Sequence, residues 1–236
     1  MRNIIFFGSS PFSCIVLEKL VLSAKCQVLS VVTNPDKPAG RHLKLTPNSV
    51  KVLAEKHNIS VSTSMNYELS TTNCIGLVAA YGKIISQNVL DKFAGQIYNI
   101  HPSLLPKYRG PSPLQQQILD GVVETGVSII QMDNLMDHGP IVCTVPDAIR
   151  PDDTTITLGN RLFAKGADAI LNSQFSILNQ IPISQNHNEA TYTKKLTKQD
   201  GFVTLDNPEL ERKKRAFSPW PGTWTLDSKG KRIKLS

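Results

Sequence analysis

Three polar side chains that could carry out a proton-coupled reaction lie in two separate segments of the chain. Asn99 and His101 are two residues apart at the end of an apolar run, and Asp137 lies in the segment QMDNLMDHGP. Side chains two apart on a strand point to the same side of the sheet, so Asn99 and His101 are expected to face one cavity. A carboxamide can donate to a developing oxyanion, and an imidazole can move protons near neutral pH. Asp137 could orient that imidazole or help to carry a proton.

Taken singly, each of these features also has a purely structural interpretation. His101 can be a histidine that bonds the backbone, and Asp137 can be a turn aspartate that bonds its own backbone. The segment 8–11, Gly-Ser-Ser-Pro, is expected to be a tight turn from strand to helix, although such a helix start could also hold an anion. His138 and His187 have no ligand-like partners in the sequence and receive no role.

Taken together, an amide, an imidazole and a carboxylate without metal-ligand spacing favour the transfer of a group to an amine. The attacking amine must lose a proton, and a tetrahedral oxyanion must be stabilised. No G-x-S-x-G segment is present, which favours direct transfer between two bound substrates over a covalent acyl-enzyme. The four cysteines are far apart and form no C-x-x-C, so we expect core thiols and no metal site.

The alternation of apolar runs with helical patterns predicts the α/β framework that positions these residues. The first half of the chain predicts four strands, at 3–7, 27–33, 75–80 and 96–100, and three helices, at 11–23, 48–57 and 88–94. Such alternation is typical of βαβ units, a mostly parallel sheet and a doubly wound, Rossmann-like structure. Two further strands follow from residue 127, and then a long helix over 156–178 with Thr154 as its cap.

Composition excludes several classes of protein. The chain has 236 residues, of which 40% are hydrophobic and 19% charged, so it can form a sizeable core and is not disordered throughout. It contains no run of about 18 apolar residues, and its first residues indicate a strand rather than a signal peptide. We therefore expect a cytoplasmic protein that does not bind membranes.

The positive charge is concentrated at the end of the chain. The net charge is +7, and residues 194–236 hold 11 of the 26 Lys and Arg residues but only 5 of the 19 acidic ones. Residues after 181 are expected to form a crossing linker that leads into this basic tail. The tail is either a solvated surface or a surface for a polyanion such as nucleic acid.

Several of these segments, in this order, resemble the folate-dependent formyltransferases. The resemblance rests on FFGSSPF, NPDKPAGRHLKLTP, VAAYGKII, NIHPSLLPKYRGP, ETGVSIIQMDNLMDHGPIV and RAFSPWPGTW, and it covers most of residues 1–225. It implies a Rossmann-like formyltransferase fold with a mostly parallel sheet, followed by a short, truncated C-terminal β appendage. PDKPAGR and PWPGTW are more similar to the branch that acts on methionyl-tRNA, although PWPG-type segments also resemble those of sugar-amine formyltransferases.

The resemblance also implies a reaction and a set of site residues. The formyl group of 10-formyltetrahydrofolate would pass from N10 to the α-amino group of methionine on initiator methionyl-tRNA, in translation initiation. A monomer and no metal are expected. The residues that match the family's functional positions are the catalytic trio Asn99, His101 and Asp137, the folate contacts Ser103, Leu104, Leu105 and Pro106, and the tRNA contacts Arg41 and Lys44 in the loop 35–45.

The chain departs from the resemblance at its end. The family continues into a C-terminal β-barrel, whereas this sequence stops at Ser236 after one expected hairpin. We expect a catalytic domain over 1–185 and a linker with an abbreviated basic segment over 186–236. A naturally minimal enzyme and an incomplete gene product both remain open.

Two other functions also remain open. The first is a folate enzyme acting on a small amine, such as an amino sugar nucleotide or glycinamide ribonucleotide. The second is a nucleic-acid-binding module with an inactive pocket. The basic loop 35–45 favours the tRNA substrate, and the shortened C-terminal region favours a small amine. The presence of all three members of the trio argues against an inactive pocket.

Overall fold

A central β-sheet with helices on both faces forms the body of the protein. The computed structural model describes residues 1–39, 43–64, 71 and 73–235. The strands are β1 (Arg2–Phe7), β2 (Cys26–Val32), β3 (Lys37–Ala39), β4 (Lys44–Thr46), β5 (Ser60–Ser62), β6 (Cys74–Ala79), β7 (Ile97–His101), β8 (Glu124–Gln131), β9 (Ile141–Ala148), β10 (Thr223–Leu226) and β11 (Arg232–Leu235). The helices are α1 (Pro11–Val21), α2 (Ser49–Lys56), α3 (Gln87–Lys92), α4 (Pro113–Asp120), α5 (Thr155–Asn172) and α6 (Leu210–Phe217).

Seven of these strands make one sheet in the order β5-β2-β1-β6-β7-β8-β9. The first five in this order pair in parallel, and β8 and β9 join antiparallel at one side. The chain winds outward from β1 in both directions, so the order of the strands reverses between β1 and β6. This arrangement confirms the predicted Rossmann-like fold with a mostly parallel sheet.

The period-two alternation of β7 separates its side chains between the two faces of the sheet. Tyr98 and Ile100 are buried in the larger hydrophobic core, which α1 and α5 cover. Ile97 belongs to the smaller core on the opposite face. Asn99 and His101 follow Ile97 at the same spacing, so they lie on the face of the smaller core. The expected common orientation of Asn99 and His101 follows from this register.

The helix α5 confirms its predicted start and corrects its predicted end. Thr154 caps the helix, since its hydroxyl accepts from the Thr157 amide at 3.2 Å. The prediction extended the helix to residue 178, but α5 ends at Asn172. Gln174 and Phe175 adopt positive φ values of 51° and 67°, which a right-handed helix cannot contain.

The C-terminal residues are packed on the rest of the protein. The hairpin β10–β11 confirms the short β appendage that was predicted here, and α6 lies in the segment that was predicted to be a linker. Arg212 of α6 donates to the Leu119 carbonyl at 3.1 Å, and Arg215 donates to the Asp153 carbonyl at 2.9 Å. Part of the basic charge therefore stabilises the contact between α6 and the body of the protein. Within the described part of the chain, no helix is both long and apolar enough to cross a membrane.

Candidate active site

The strand that leads to Asp137 runs opposite to the strand that carries Asn99. β7 and β8 pair antiparallel, with Tyr98 opposite Gln131, so β8 ends beside the start of β7. The loop after β8 therefore begins at the opposite edge of the sheet from the loop that follows β7. That loop, residues 132–140, folds back along the sheet and brings Asp137 to Asn99.

The three predicted catalytic side chains meet at one carboxylate. Asn99 Nδ2 donates to Asp137 Oδ1 at 3.3 Å, and His101 Nδ1 lies 3.5 Å from the same oxygen. The second oxygen, Oδ2, accepts from the backbone N–H of Gly110 at 2.8 Å. The side chains of His101 and Asp137 are only 4% and 14% exposed. The cluster is therefore largely withdrawn from water, where hydrogen bonds and charges interact more strongly.

The other contact of His101 fixes which ring nitrogen carries hydrogen. Nε2 lies 3.0 Å from the carbonyl oxygen of Tyr108, and a carbonyl can only accept, so Nε2 donates. In the neutral ring, Nδ1 is then the acceptor, and it faces the Asp137 carboxylate. A proton delivered to this position would be held between Nδ1 and Oδ1. The pair can accept and pass on one proton.

Two glycines create the close approach on which the carboxylate depends. Asp137 has a φ of 49°, in the left-handed region that aspartate tolerates better than most residues. A Cβ at Gly139 would lie 1.9 Å from the Gln131 carbonyl oxygen, so only glycine fits there. Gly110 has a φ of 108°, and a Cβ there would lie 2.8 Å from the Thr193 carbonyl oxygen. Larger residues at either position would displace the turn.

The predicted folate contacts, residues 103–106, form the turn that directly follows His101. The Ser103 amide donates to the His101 carbonyl at 2.9 Å. Ser128 on β8 holds this turn from both sides, because its hydroxyl donates to the Ser103 carbonyl at 2.7 Å and accepts from the Leu105 amide at 3.0 Å. Ser103 and Leu105 are buried, and Leu104 and Pro106 are half-buried.

Of the two predicted RNA contacts, the structure describes Lys44. Lys44 is exposed on β4, which pairs with β3 in a short hairpin. Lys51 Nζ anchors the base of this hairpin with two contacts of 2.9 Å to the Asp36 carboxylate. Arg41 lies outside the described residues. None of the described contacts joins Lys44 to the catalytic trio.

The turn at residues 8–11 is consistent with its structural interpretation. The amides of Ser9 and Ser10 both donate to the Ser13 hydroxyl at 3.1 Å. That hydroxyl in turn donates to the Ala79 carbonyl at 2.6 Å. The N–H groups that could have held an anion are therefore used within the turn.

Sequence reasoning missed several residues that surround the trio. Arg109 is only 1% exposed, and Gln185 is buried in the segment that was predicted to be the edge of a linker. His138 and His187 stack with their ring centroids 4.0 Å apart and their planes 2° from parallel. Partial desolvation, His138 and Arg109 together lower the pKa of His187. The long separation of these residues in the chain left no local pattern that could indicate the contacts.

Two cavities are lined by residues of the strand and loops that carry the trio, although neither is lined by Asn99, His101 or Asp137. The first, of about 460 Å³, lies along the face of the sheet that carries Asn99, and the residues that line it are Gln87, Leu90, Asp91, Ala94, Gly95, Ile97, Met132, Asp133 and Asn134. The second, of about 530 Å³, lies beside the turn that follows His101, and the residues that line it are Lys107, Tyr108, Gln116, Asp120, Thr191, Tyr192 and Lys194. Burial, with the neighbouring Asp120, raises the pKa of Tyr108 to about 12. Tyr108 is therefore a neutral phenol near pH 7.

The described residues include no group of three or more His, Cys, Asp or Glu side chains that could hold a metal ion. The chemistry available from the described cluster is hydrogen-bond donation from an amide and proton transfer by an imidazole–carboxylate pair. This set suits the stabilisation of an oxyanion and the deprotonation of an amine.

Comparison of the sequence with known families places it among proteins of related chemistry. The family described as formyl transferase matches residues 1–173. A methionyl-tRNA formyltransferase of Roseiflexus sp. (strain RS-1) is 40% identical, and the alignment covers 95% of this chain and 73% of that relative.

Comparison of the structure points to the same fold. The N-formyltransferase of Helicobacter canadensis, solved with folinic acid and dTDP-3-aminofucose, aligns with a TM-score of 0.69 at 22% identity, over 92% of this chain and 81% of that one. A 4-N formyltransferase of Francisella tularensis aligns with a TM-score of 0.75 at 17% identity, over 100% of this chain and 96% of that one. At these identities the likeness describes the fold alone.

Proposed function

The chain belongs to the formyl transferase family, and we propose that it moves the formyl group of 10-formyltetrahydrofolate to the α-amino group of methionine on initiator methionyl-tRNA. The protein is a formyltransferase, and its curated relatives are methionyl-tRNA formyltransferases. Our proposal concerns the residues that carry out this transfer and the parts of the protein that bind each substrate.

One observation carries the assignment of the catalytic residues. A carboxamide, an imidazole and a backbone N–H, drawn from β7 and the segment after it, all lie within 3.5 Å of the Asp137 carboxylate. Formyl transfer to an amine needs a donor for the carbonyl oxygen and an acceptor for the amine proton, and this cluster contains both.

Asn99 is the proposed donor to the formyl oxygen. Its side-chain nitrogen carries two hydrogens, and one of them is directed to Asp137 Oδ1 at 3.3 Å. Among the described residues, no hydrogen bond uses the second hydrogen. It can therefore bond the formyl oxygen as the attacking amine converts the planar carbonyl into a tetrahedral oxyanion. A donor that is fixed in place before the reaction stabilises this charge without reorganisation.

His101 and Asp137 are the proposed route for the proton. The α-amino group must attack in its neutral form and loses a proton as the new C–N bond forms. The Asp137 carboxylate, beside Nδ1 of His101, can accept that proton and pass it to the ring. The protonated imidazole then supplies a proton to N10 as the bond between the formyl carbon and N10 breaks. The enzyme ends the cycle with its original charge.

The proposed folate site combines the turn 103–106 with the cavity of about 460 Å³. Ile97 lines this cavity and lies two residues before Asn99 on β7, so the cavity opens on the face to which Asn99 belongs. A mixed apolar and polar lining of this size suits a heterocycle such as the pterin of folate. The turn 103–106 borders the other end of the trio, through the hydrogen bond from Ser103 to His101.

The proposed RNA surface includes the hairpin of β3 and β4. Lys37 and Lys44 are exposed on it, and the ion pair between Asp36 and Lys51 fixes its base. Phosphate groups of the acceptor stem can be neutralised by such lysines.

We infer a monomer that acts in the cytoplasm, where charged tRNA is used. The division into a catalytic domain over 1–185 and a basic segment over 186–236 stays a prediction.

The proposal is tested by offering 10-formyltetrahydrofolate with three acceptors in parallel: charged initiator tRNA, charged elongator tRNA and an amino sugar nucleotide. We expect formylated methionine on the initiator tRNA, at a kcat/KM at least tenfold above that of either other acceptor, a preference of about 1.4 kcal/mol. Preferred formylation of the sugar would replace the acceptor in the proposal. Binding of both substrates without product would favour the nucleic-acid-binding module.

A further inference from the structure

The position of the Asp137 carboxylate depends on a left-handed backbone conformation at this residue. A φ of 49° is uncommon for any residue other than glycine, and the loop around Asp137 is partly exposed. Such a conformation persists when the surrounding structure determines it. Other groups in the protein must therefore hold this turn.

A side chain far along the chain holds the turn from behind. Gln185 Nε2 donates to the Asp137 carbonyl at 2.9 Å and to the Gly139 carbonyl at 2.7 Å. Both hydrogens of the carboxamide are thus used on the two sides of one turn. Gln185 is only 5% exposed, so water competes little for these carbonyls.

A buried arginine fixes the orientation of Gln185. Arg109 donates to Gln185 Oε1 from Nη2 at 2.7 Å and from Nε at 3.2 Å. Because a guanidinium can only donate, it holds the oxygen of the carboxamide and leaves the nitrogen to face the turn. Arg109 also donates to the Tyr192 hydroxyl at 3.0 Å and contacts His187 Nδ1 at 2.9 Å. Within the described part of the chain, no carboxylate pairs with it.

The segment that carries Gln185 is anchored on both sides of the site. Before it, Ile183 exchanges two backbone hydrogen bonds of 2.8 Å with Ile141. After it, the Arg109 amide donates to the Thr191 carbonyl at 2.9 Å, and the Thr193 amide donates to the Arg109 carbonyl at 2.7 Å. These anchors lie next to the loop of Asp137 and next to Gly110, so the segment spans the two parts of the site.

We propose that Gln185, oriented by Arg109, is a positioning residue for formyl transfer: it sets the backbone of Asp137 so that its carboxylate meets His101. The kinetic consequence of this proposal rests on the proposed function. The hydrogen bonds from which the proposal is argued do not depend on that function. Gly110 fixes the side chain of Asp137 through Oδ2, and Gln185 fixes its backbone through the carbonyl. Together the two contacts leave the carboxylate little freedom to turn away.

Two substitutions separate positioning from a general role in folding. Gln185→Glu keeps an acceptor for Arg109 but removes both donors to the turn. Gln185→Met has a similar length and removes the donors without adding charge. The matched control is Gln180→Glu, which makes the same chemical change at an exposed position a few residues earlier in the chain. Each variant is first compared with wild type by its thermal midpoint and circular dichroism.

We expect both Gln185 variants to lose kcat by about 10- to 100-fold, because a misplaced catalytic group slows the chemical step. KM for the folate and for the amine acceptor should change by less than about threefold, since Gln185 is buried and both of its N–H donors are used on the turn. Gln180→Glu should match wild type. A kcat within about twofold of wild type in folded Gln185→Met would overturn the proposal.

A second measurement does not depend on activity. The Gly110 amide donates to Asp137 Oδ2, so its hydrogen exchange reports whether the carboxylate stays in place. We expect exchange at Gly110 to accelerate at least tenfold in both Gln185 variants and to stay unchanged in Gln180→Glu. Unchanged exchange at Gly110 would overturn the proposal even if wild type proved inactive on every acceptor. Faster exchange with an inactive wild type would support the positioning and reject the proposed function.

Discussion

Two aspartates lie in turns of this protein, and the groups that contact their carboxylates differ in kind. Asp153, just before α5, receives a bidentate contact from Arg161 at 2.9 Å and 2.6 Å, and its side chain is 3% exposed. Burial would raise the pKa of Asp153, but the hydrogen bonds and charge of Arg161 outweigh it and lower the pKa to about 2. Among the described residues, the partners of the Asp137 carboxylate are the Asn99 amide, the Gly110 N–H and the nearby imidazole of His101.

The difference lies in the type of partner. A guanidinium is always charged, so Asp153 stays ionised and serves to join the start of α5 to Arg161. The partners of Asp137 are uncharged groups and a titratable ring. The distances from Asp137 Oδ1 to Asn99 Nδ2 and to His101 Nδ1, 3.3 Å and 3.5 Å, are long for hydrogen bonds. A substrate N–H can therefore compete for the Asp137 carboxylate. An uncharged N–H cannot displace the charged guanidinium of Arg161 from Asp153. One carboxylate is suited to stability and the other to proton transfer.

A large effect on activity is expected from the Asn99 amide, which contacts the Asp137 carboxylate. Asn99→Ala removes the proposed donor to the oxyanion and should lower kcat by about 10²–10³-fold, with little change in the thermal midpoint. Steady-state formyl transfer measures the first quantity, and thermal unfolding the second. Asn188→Ala, at an exposed asparagine, is the control. An unchanged kcat in Asn99→Ala would remove Asn99 from the mechanism.

The reverse pattern is expected at the other aspartate. Asp153→Asn leaves the Arg161 guanidinium without its main partner and should lower the free energy of unfolding by about 2–4 kcal/mol. Arg161 keeps its contact of 3.0 Å with Asp147, which limits the loss. The kcat of the folded fraction should stay within twofold of wild type. A drop in kcat as large as that of Asn99→Ala would erase the distinction between the two carboxylates.

The dependence of stability on pH sharpens the same distinction. Because the folded pKa of Asp153 is about 2 and lies below the value of about 3.9 for an unfolded aspartate, its contribution is fully present above pH 4. It is lost as the pH falls from about 4 to about 2. The difference in unfolding free energy between wild type and Asp153→Asn should therefore shrink over this range. A difference that stayed constant down to pH 2 would show that the charge of Asp153 is not what stabilises α5.

The smallest effect is expected far from both carboxylates. Lys44→Ala should raise KM for the RNA acceptor by a few-fold and lower the log–log salt dependence of binding by about 0.7–0.9, for one lost phosphate contact. Its kcat and thermal midpoint should match wild type. Lys56→Ala, at an exposed lysine of α2, is the control. Equal effects of both substitutions would indicate general surface charge rather than a contact.

Much of the fold could be predicted because it depends on local patterns. Short apolar runs that alternate with helical patterns predicted four of the five parallel strands, and Thr154 predicted the start of α5. The three-residue strand β5 was missed. The helices α4 and α6 were missed, because α4 begins at Pro113 directly after a proline-rich loop and α6 lies in the charged segment that was predicted to be a linker. The direction of β8 could not be predicted, because period-two alternation is the same for a strand that runs either way.

The candidate site likewise combines features that depend on local sequence patterns with features that depend on distant residues. The spacing of Asn99 and His101 indicated a shared face, and the fold places both on it. Gln185 could not be found, because its role arises from contacts with residues 46 and 48 positions away. The left-handed turn at Asp137 is likewise fixed by distant groups rather than by its neighbours in sequence. The residue types and their spacing in the sequence predicted the candidate catalytic residues. They could not predict the distant residues that hold these candidates in place.

The most direct test of the account is the kcat of Asp137→Asn for formyl transfer to charged initiator tRNA, with both substrates saturating. This substitution keeps the shape of the side chain and an acceptor for Gly110, but it removes the charge that takes up the proton. The account predicts that kcat falls by about 10²–10⁴-fold while the protein stays folded. A folded Asp137→Asn enzyme with a kcat within twofold of wild type would contradict it.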